Sequence, residues 1–254
     1  MVKPKKYLGQ HFLVNDGIAQ RTAEAVNANS HPILEIGPGK GKLTGFLLSI
    51  FSEDVTVVEI DKESVEYLNE HFPQLRDKII DGDFLNLDLD KYFNDKVNIV
   101  GNFPYNISSQ ILFRMLEYRH KVPQLVGMFQ KEVADRVVTN PGSKVYGILS
   151  VLIQAFYDTS YLFTIQPGSF FPPPKVKSAV IKLERNGREK LDCDEKLFFK
   201  VVKLAFNQRR KTLRNSIKTV LPENIAQNEI FNNRPEQLGH KDFEHICNLI
   251  ERNS

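Results

Sequence analysis

Residues Ile33-Leu34-Glu35-Ile36 run straight into Gly37-Pro38-Gly39-Lys40-Gly41 and then into a helically spaced apolar segment over 43–51. An apolar run, a glycine turn and a helix in immediate succession describe a buried strand whose chain turns into a helix with its first N–H groups facing outwards. Glycines at such a turn let the backbone approach a ligand closely. Further apolar runs follow over 55–61, 79–85, 97–102 and 125–130, most of them succeeded by helical spacing. Strands alternating with helices predict an α/β, doubly wound parallel sheet.

The strand ends carry the informative residues. Gly37-x-Gly39-x-Gly41 departs from Gly-x-Gly-x-x-Gly, which disfavours a pyrophosphate cofactor. Glu59 ends the second run about 20 positions after the turn, where a carboxylate accepts the hydroxyls of a ribose. Asp61 is expected to cap the helix over 62–71. Asp83, at the third run, is placed to accept the amino group of an adenine, with Phe84 beside the ring. The fourth run delivers Asn102-Phe103-Pro104-Tyr105. Asn102 offers a side-chain carbonyl, Pro104 directs the Phe103 carbonyl, and Tyr105 offers a flat face. Asn, Pro and Tyr are also ordinary turn residues. Ser108-Ser109-Gln110 reads as the cap of the next helix.

The later sequence changes character. Phe170-Phe171-Pro172-Pro173-Pro174 cannot join a helix or a central strand and is expected to hold Phe170 outward. Strand alternation stops at 185–188, which predicts two domains, 1–187 with a basic N-terminal arm and a small helical one over 188–254. The chain of 254 residues is 41% hydrophobic and 26% charged with net charge +3, so basic residues matter where they cluster. They cluster over 3–6, 175–182 and 208–218, and Arg209, Arg210, Lys211 and Arg214 are expected on one helix that continues from 197–206. The two cysteines and six histidines show no metal-ligand spacing. Plain reduced thiols and no membrane-length apolar run predict a cytoplasmic protein.

Glycine turn, two strand-end carboxylates and a terminal Asn together describe one adenosine-containing ligand without phosphates, and S-adenosylmethionine fits. Its sulfonium methyl needs an aligned nucleophile and little else, and no metal. An exocyclic base amine suits Asn102 and the Phe103 carbonyl, with Tyr105 and Phe170 stacking the base. Lys5, Lys6, Arg209, Arg210, Lys211 and Arg214 are then expected to hold RNA phosphates.

These residues, with Tyr7-Leu8-Gly9-Gln10-His11-Phe12-Leu13, Pro172-Pro173-Pro174-Lys175-Val176 and Phe206-Asn207-Gln208-Arg209-Arg210-Lys211, resemble the small-subunit ribosomal RNA adenine N6-dimethyltransferases, the KsgA family. The resemblance covers nearly the whole chain. It implies a Rossmann-like S-adenosylmethionine-dependent methyltransferase sheet with a small all-α C-terminal domain. It also implies dimethylation of two adjacent adenosines in the 3′-terminal hairpin loop of small-subunit rRNA, on immature small subunits, by a monomer. Carried over, His11, Leu13, Gly37, Gly39, Glu59, Asp83 and Asn102 contact the cofactor, while Asn102, Phe103, Pro104, Tyr105 and Phe170 hold the adenine. Two positions depart from the pattern: Phe103 replaces a common Leu, and His11 stands where Asn also occurs. The rival readings are a large-subunit rRNA dimethyltransferase of the macrolide-resistance type, a DNA adenine methyltransferase, and a chiefly non-catalytic ribosome-assembly factor.

Overall fold

A computed structural model describes residues 2–27 and 31–253. The chain begins with β1 (Phe12–Leu13) and α1 (Asp16–Glu24), then alternates through β2 (Ile33–Ile36), α2 (Lys42–Phe51), β3 (Val55–Glu59), α3 (Lys62–His71), β4 (Ile79–Asp81), α4 (Leu89–Tyr92), β5 (Asn98–Asn102), α5 (Ser108–Glu117) and β6 (Gln124–Gln130). There follow α6 (Lys131–Val138), α7 (Ile148–Gln154), β7 (Tyr157–Ile165), β8 (Phe170–Phe171) and β9 (Ser178–Arg185). Helices α8 (Glu195–Asn207), α9 (Leu213–Ser216) and α10 (His240–Glu251) end the chain. None of the described helices is long and apolar enough to cross a membrane.

Seven strands form one sheet in the order β4-β3-β2-β5-β6-β9-β7. The neighbours from β4 to β6 are parallel, and β9 runs antiparallel to β6. The chain builds outwards from β2 through β3 to β4, then returns as β5 on the other side of β2. Ligands of open α/β sheets lie outside the strand carboxyl ends at such a reversal. Here that point is bounded by Gly37 after β2 and Asn102 at the end of β5. Strands β2, β5 and β6 are buried almost throughout, as helices on both faces require.

The helix starts follow local chemistry. Asp61 caps α3 by accepting the Glu63 amide, as expected. The expected Ser108 cap is not formed; Ile107 occupies the cap position and Ser108 donates its hydroxyl to the Tyr105 carbonyl at 3.2 Å. The helix through Phe206 also stops earlier than expected: α8 ends at Asn207 and a turn carries residues 208–211 to α9.

The chain forms two compact units, one of residues 1–134 and 159–185, the other of 135–158 and 186–254. The second is thus larger than the C-terminal segment 188–254 alone, because 135–158 gathers with it. Within it, Arg188 pairs with Glu244 of α10 through both guanidinium nitrogens, at 2.7 and 2.6 Å. The Asp192 and Asp194 amides donate to Glu244 and Glu251, and this lays Cys193 against Cys247, both free thiols.

Candidate active site

The glycine turn after β2 is left-handed at all three glycines, with φ of 67° at Gly37, 56° at Gly39 and 73° at Gly41. A Cβ on Gly39 would lie 2.8 Å from the Phe12 ring, so backbone and ring meet only because the side chain is absent. Glu59, nearly fully buried, holds this turn: its carboxylate accepts the Gly39 amide at 3.0 Å and the Ile60 and Asp61 amides at 2.9 Å. Burial pushes its pKa up even against those three donors. Asp83 caps the short turn Phe84–Asn86 by accepting the Leu85 amide at 2.9 Å and the Asn86 side-chain amide at 2.8 Å. Behind the turn, buried Glu35 accepts the Thr44 hydroxyl at 2.6 Å, and burial raises its pKa to about 8.

At the end of β5 the Phe103 ring is buried where two strand glycines leave room for it. A Cβ would come within 2.7 Å of that ring at Gly101 and 2.1 Å at Gly127. Its ring also meets Phe129 edge-on at 5.0 Å. With this ring held in the core, Asn102 before it and Tyr105 shortly after it line the same pocket. The Pro104 carbonyl accepts the Ile107 amide at 3.2 Å and closes the turn into α5. Asn102 donates its side-chain amide to the main-chain carbonyl of His11 at 2.8 Å. A carbonyl only accepts, so the Asn102 nitrogen must face it, leaving Oδ1 as the acceptor. Tyr105 bonds through its hydroxyl to Ser178, burial pushes its phenol pKa up, and its ring stacks on His11 with centroids 5.2 Å apart. His11, Gly37, Gly39, Glu59, Asp83, Asn102, Phe103, Pro104 and Tyr105 line one pocket.

The family model for ribosomal RNA adenine dimethylase matches residues 1–253. The chain belongs to the ribosomal RNA adenine dimethylase family. It is 55% identical to ribosomal RNA small subunit methyltransferase A of Parabacteroides distasonis, over 99% of this chain and 96% of that one. It is 54% identical to the protein of the same name from Cytophaga hutchinsonii, over 98% of each chain. A dimethyladenosine transferase from Plasmodium falciparum has the same Rossmann-like fold, with TM-score 0.81 and 24% identity over 96% of this chain and 98% of that one.

In this dimethylase-family chain the N-terminal arm is a strap. The Lys5 ammonium pairs with Asp61 at 2.5 Å and Glu63 at 3.1 Å, and Gln10 donates to Asp61 at 3.2 Å. Burial opposes the Asp61 charge, but Lys5 and Gln10 outweigh it and hold that carboxyl below its usual range. Lys5 therefore anchors the arm and is not the free RNA cation expected of it; Lys6 is exposed.

Two expected site residues lie elsewhere. Leu13 and Phe170 pair across β1 and β8 with their side chains in the core, and neither lines the pocket. Phe170 is 2% exposed, not outward. Opposed residues of an antiparallel pair share a face and successive ones alternate, so the outward ring is Phe171, which pairs with Phe12 and is 59% exposed.

The basic cluster also divides. Arg209 donates to the Ser143 carbonyl at 2.9 Å and lies 3.9 Å from Glu236, a structural role within its unit. Arg214 is half-buried, with its Nε buried and unpartnered, whereas Arg210 and Lys211 are exposed. No group of three or more described His, Cys, Asp or Glu side chains is placed to hold a metal ion. Missed in the sequence were the roles of Gly101, Gly127 and Gln10; a glycine inside an apolar strand run was the available signal for the first two.

Proposed function

We propose that this chain transfers methyl groups from S-adenosylmethionine to the N6 atoms of two adjacent adenosines in the 3′-terminal hairpin loop of small-subunit rRNA. It does so as a cytoplasmic monomer acting on immature small subunits. Support for the substrate comes from the relatives named small subunit methyltransferase A. The observation that carries the chemistry is the oriented Asn102 amide, which presents an acceptor beside the Phe103 carbonyl at the sheet reversal.

The residues fit the cofactor. The left-handed glycines Gly37 and Gly39 bring main chain to the pocket wall, and Asp83 and Phe84 line the same pocket for an adenine. Glu59 spends three of about four lone-pair sites on backbone amides and keeps about one for a ribose hydroxyl. Bound S-adenosylmethionine supplies a methyl group made electrophilic by its sulfonium.

The chain's own part is positioning. An adenine N6 lone pair is delocalised into the ring. Asn102 Oδ1 and the Phe103 carbonyl, accepting from both N6 hydrogens, favour a pyramidal nitrogen and free that lone pair. The free face of Tyr105 stacks the base after it leaves its loop. Once N6 is cationic its proton passes to water, so no strong base is required. Arg210, Lys211 and Lys6 bind phosphates without reading sequence.

The test is methyl transfer from labelled cofactor to unmodified small-subunit particles and, in parallel, to large-subunit RNA, with product mapping. Label in two adjacent small-subunit adenosines is expected. Label confined to large-subunit RNA would assign the enzyme to the other substrate, and label in neither would remove the proposal.

A further inference from the structure

Phe171 sits opposite Phe12, whose ring lines the pocket, so the two share one face of the β1–β8 pair. The next residue, Pro172, accepts the His11 Nδ1–H at 2.7 Å, and His11 stacks on Tyr105. Tyr105, His11 and Phe171 are therefore linked from the pocket outwards through direct contacts and one peptide step.

The segment continuing from Phe171 is exposed at Pro172, Pro173, Lys175, Val176 and Lys177. It carries no acidic residue, and neither lysine has an ion pair among the described residues. The prolines fix φ, so the segment is stiff and a ligand that binds it orders little backbone. An exposed aromatic ring beside unpaired cations on stiff backbone is the chemistry that receives single-stranded nucleic acid, the ring stacking a base and the cations meeting phosphates.

Resting on the methyltransferase reading above, we propose that Phe171 is a stacking platform for the nucleotide adjoining the target adenosine, with Lys175 and Lys177 on the flanking phosphates. The occupant is the unpaired RNA strand leading into the pocket. The target base keeps the Tyr105 face, and Phe171 receives its neighbour. This surface lies in the unit that holds the pocket, residues 1–134 and 159–185.

The experiment compares Phe171→Ala, Phe171→Trp and a Lys175→Ala/Lys177→Ala double variant with wild type on unmodified small-subunit particles. KM, kcat, cofactor affinity and particle retention against salt are measured. Loss of one stacked base is expected to raise the particle KM of Phe171→Ala about tenfold or more, with kcat and cofactor affinity at wild-type levels. Phe171→Trp is expected to restore KM, because a larger ring still stacks. The double variant is expected to lower the log–log salt slope by about 1.4, the value for two single-strand phosphates. Unchanged KM and retention in Phe171→Ala would overturn the proposal, as would a defect confined to kcat or to cofactor affinity, or a Trp variant as impaired as Ala. If wild type methylates no small-subunit RNA the methyltransferase reading fails by itself. Particle retention then still decides for or against the platform.

Discussion

Asn102 reaches back to hold the main-chain carbonyl of His11 at 2.8 Å, joining the end of β5 to the arm that covers it. The bond settles which way the Asn102 amide points. It also makes the arm part of the site, since the same His11 stacks on Tyr105 and donates to Pro172.

Gly127 should be intolerant of a methyl group. A Cβ there falls 2.1 Å from the Phe103 ring, and that ring is fully buried and cannot retreat without moving the turn above it. Gly127→Ala is expected to cost about 1–3 kcal/mol by overpacking. Denaturant unfolding measures this, and methyl transfer should fall at the same time. A variant that is destabilised yet fully active would separate Phe103 packing from placement of the turn.

Glu35 sets a pH dependence of stability. Its folded pKa of about 8 exceeds the ordinary value of 4.5, so between these values the folded state holds a proton that the unfolded state releases. Its contribution is complete below the unfolded pKa and is lost as pH rises through about 8, at a slope of up to about 1.4 kcal/mol per pH unit. Glu59, also raised, acts in the same direction. Glu35→Gln should flatten the fall of stability between about pH 5 and 8, as followed by urea midpoints. An identical slope in the variant would mean that Glu35 does not carry the proton.

The two basic regions should respond differently to substitution. Lys5→Ala breaks the strap at Asp61 and Glu63 and is expected to weaken cofactor binding several-fold while leaving the salt slope of particle binding unchanged. A slope lowered as in an RNA-contact variant would return Lys5 to the RNA surface.

Arg210→Ala/Lys211→Ala should lower the salt slope with little change in stability, since both side chains are exposed. Arg209→Ala should instead cost about 1 kcal/mol of stability through its lost bond to Ser143. Equal salt slopes in the double variant and wild type would argue that this turn does not meet RNA.

Much of the sheet was legible because its central strands are mostly apolar runs and the informative residues stand at or just beyond their ends: Gly37, Glu59, Asp83 and Asn102. Long-range pairing was not legible. Which of Phe170 and Phe171 faces out depends on their register with Phe12 and Leu13, more than 150 positions away in sequence, and a strand of two residues has no periodicity of its own. Lys5 read as a free cation because its partners, Asp61 and Glu63, sit at the start of another helix. The gathering of 135–158 with the C-terminal helices left no local mark either. The Gly101 and Gly127 signal was present, but only the Phe103 ring gives it meaning.

The most direct measurement is single-turnover methyl transfer by Asn102→Ala on unmodified small-subunit particles, with particle binding measured on the same preparation. Removing the oriented acceptor is expected to slow transfer by about a hundredfold or more, while particle binding stays near wild type. Transfer at the wild-type rate would contradict the assignment of Asn102 as the group that holds the target amine.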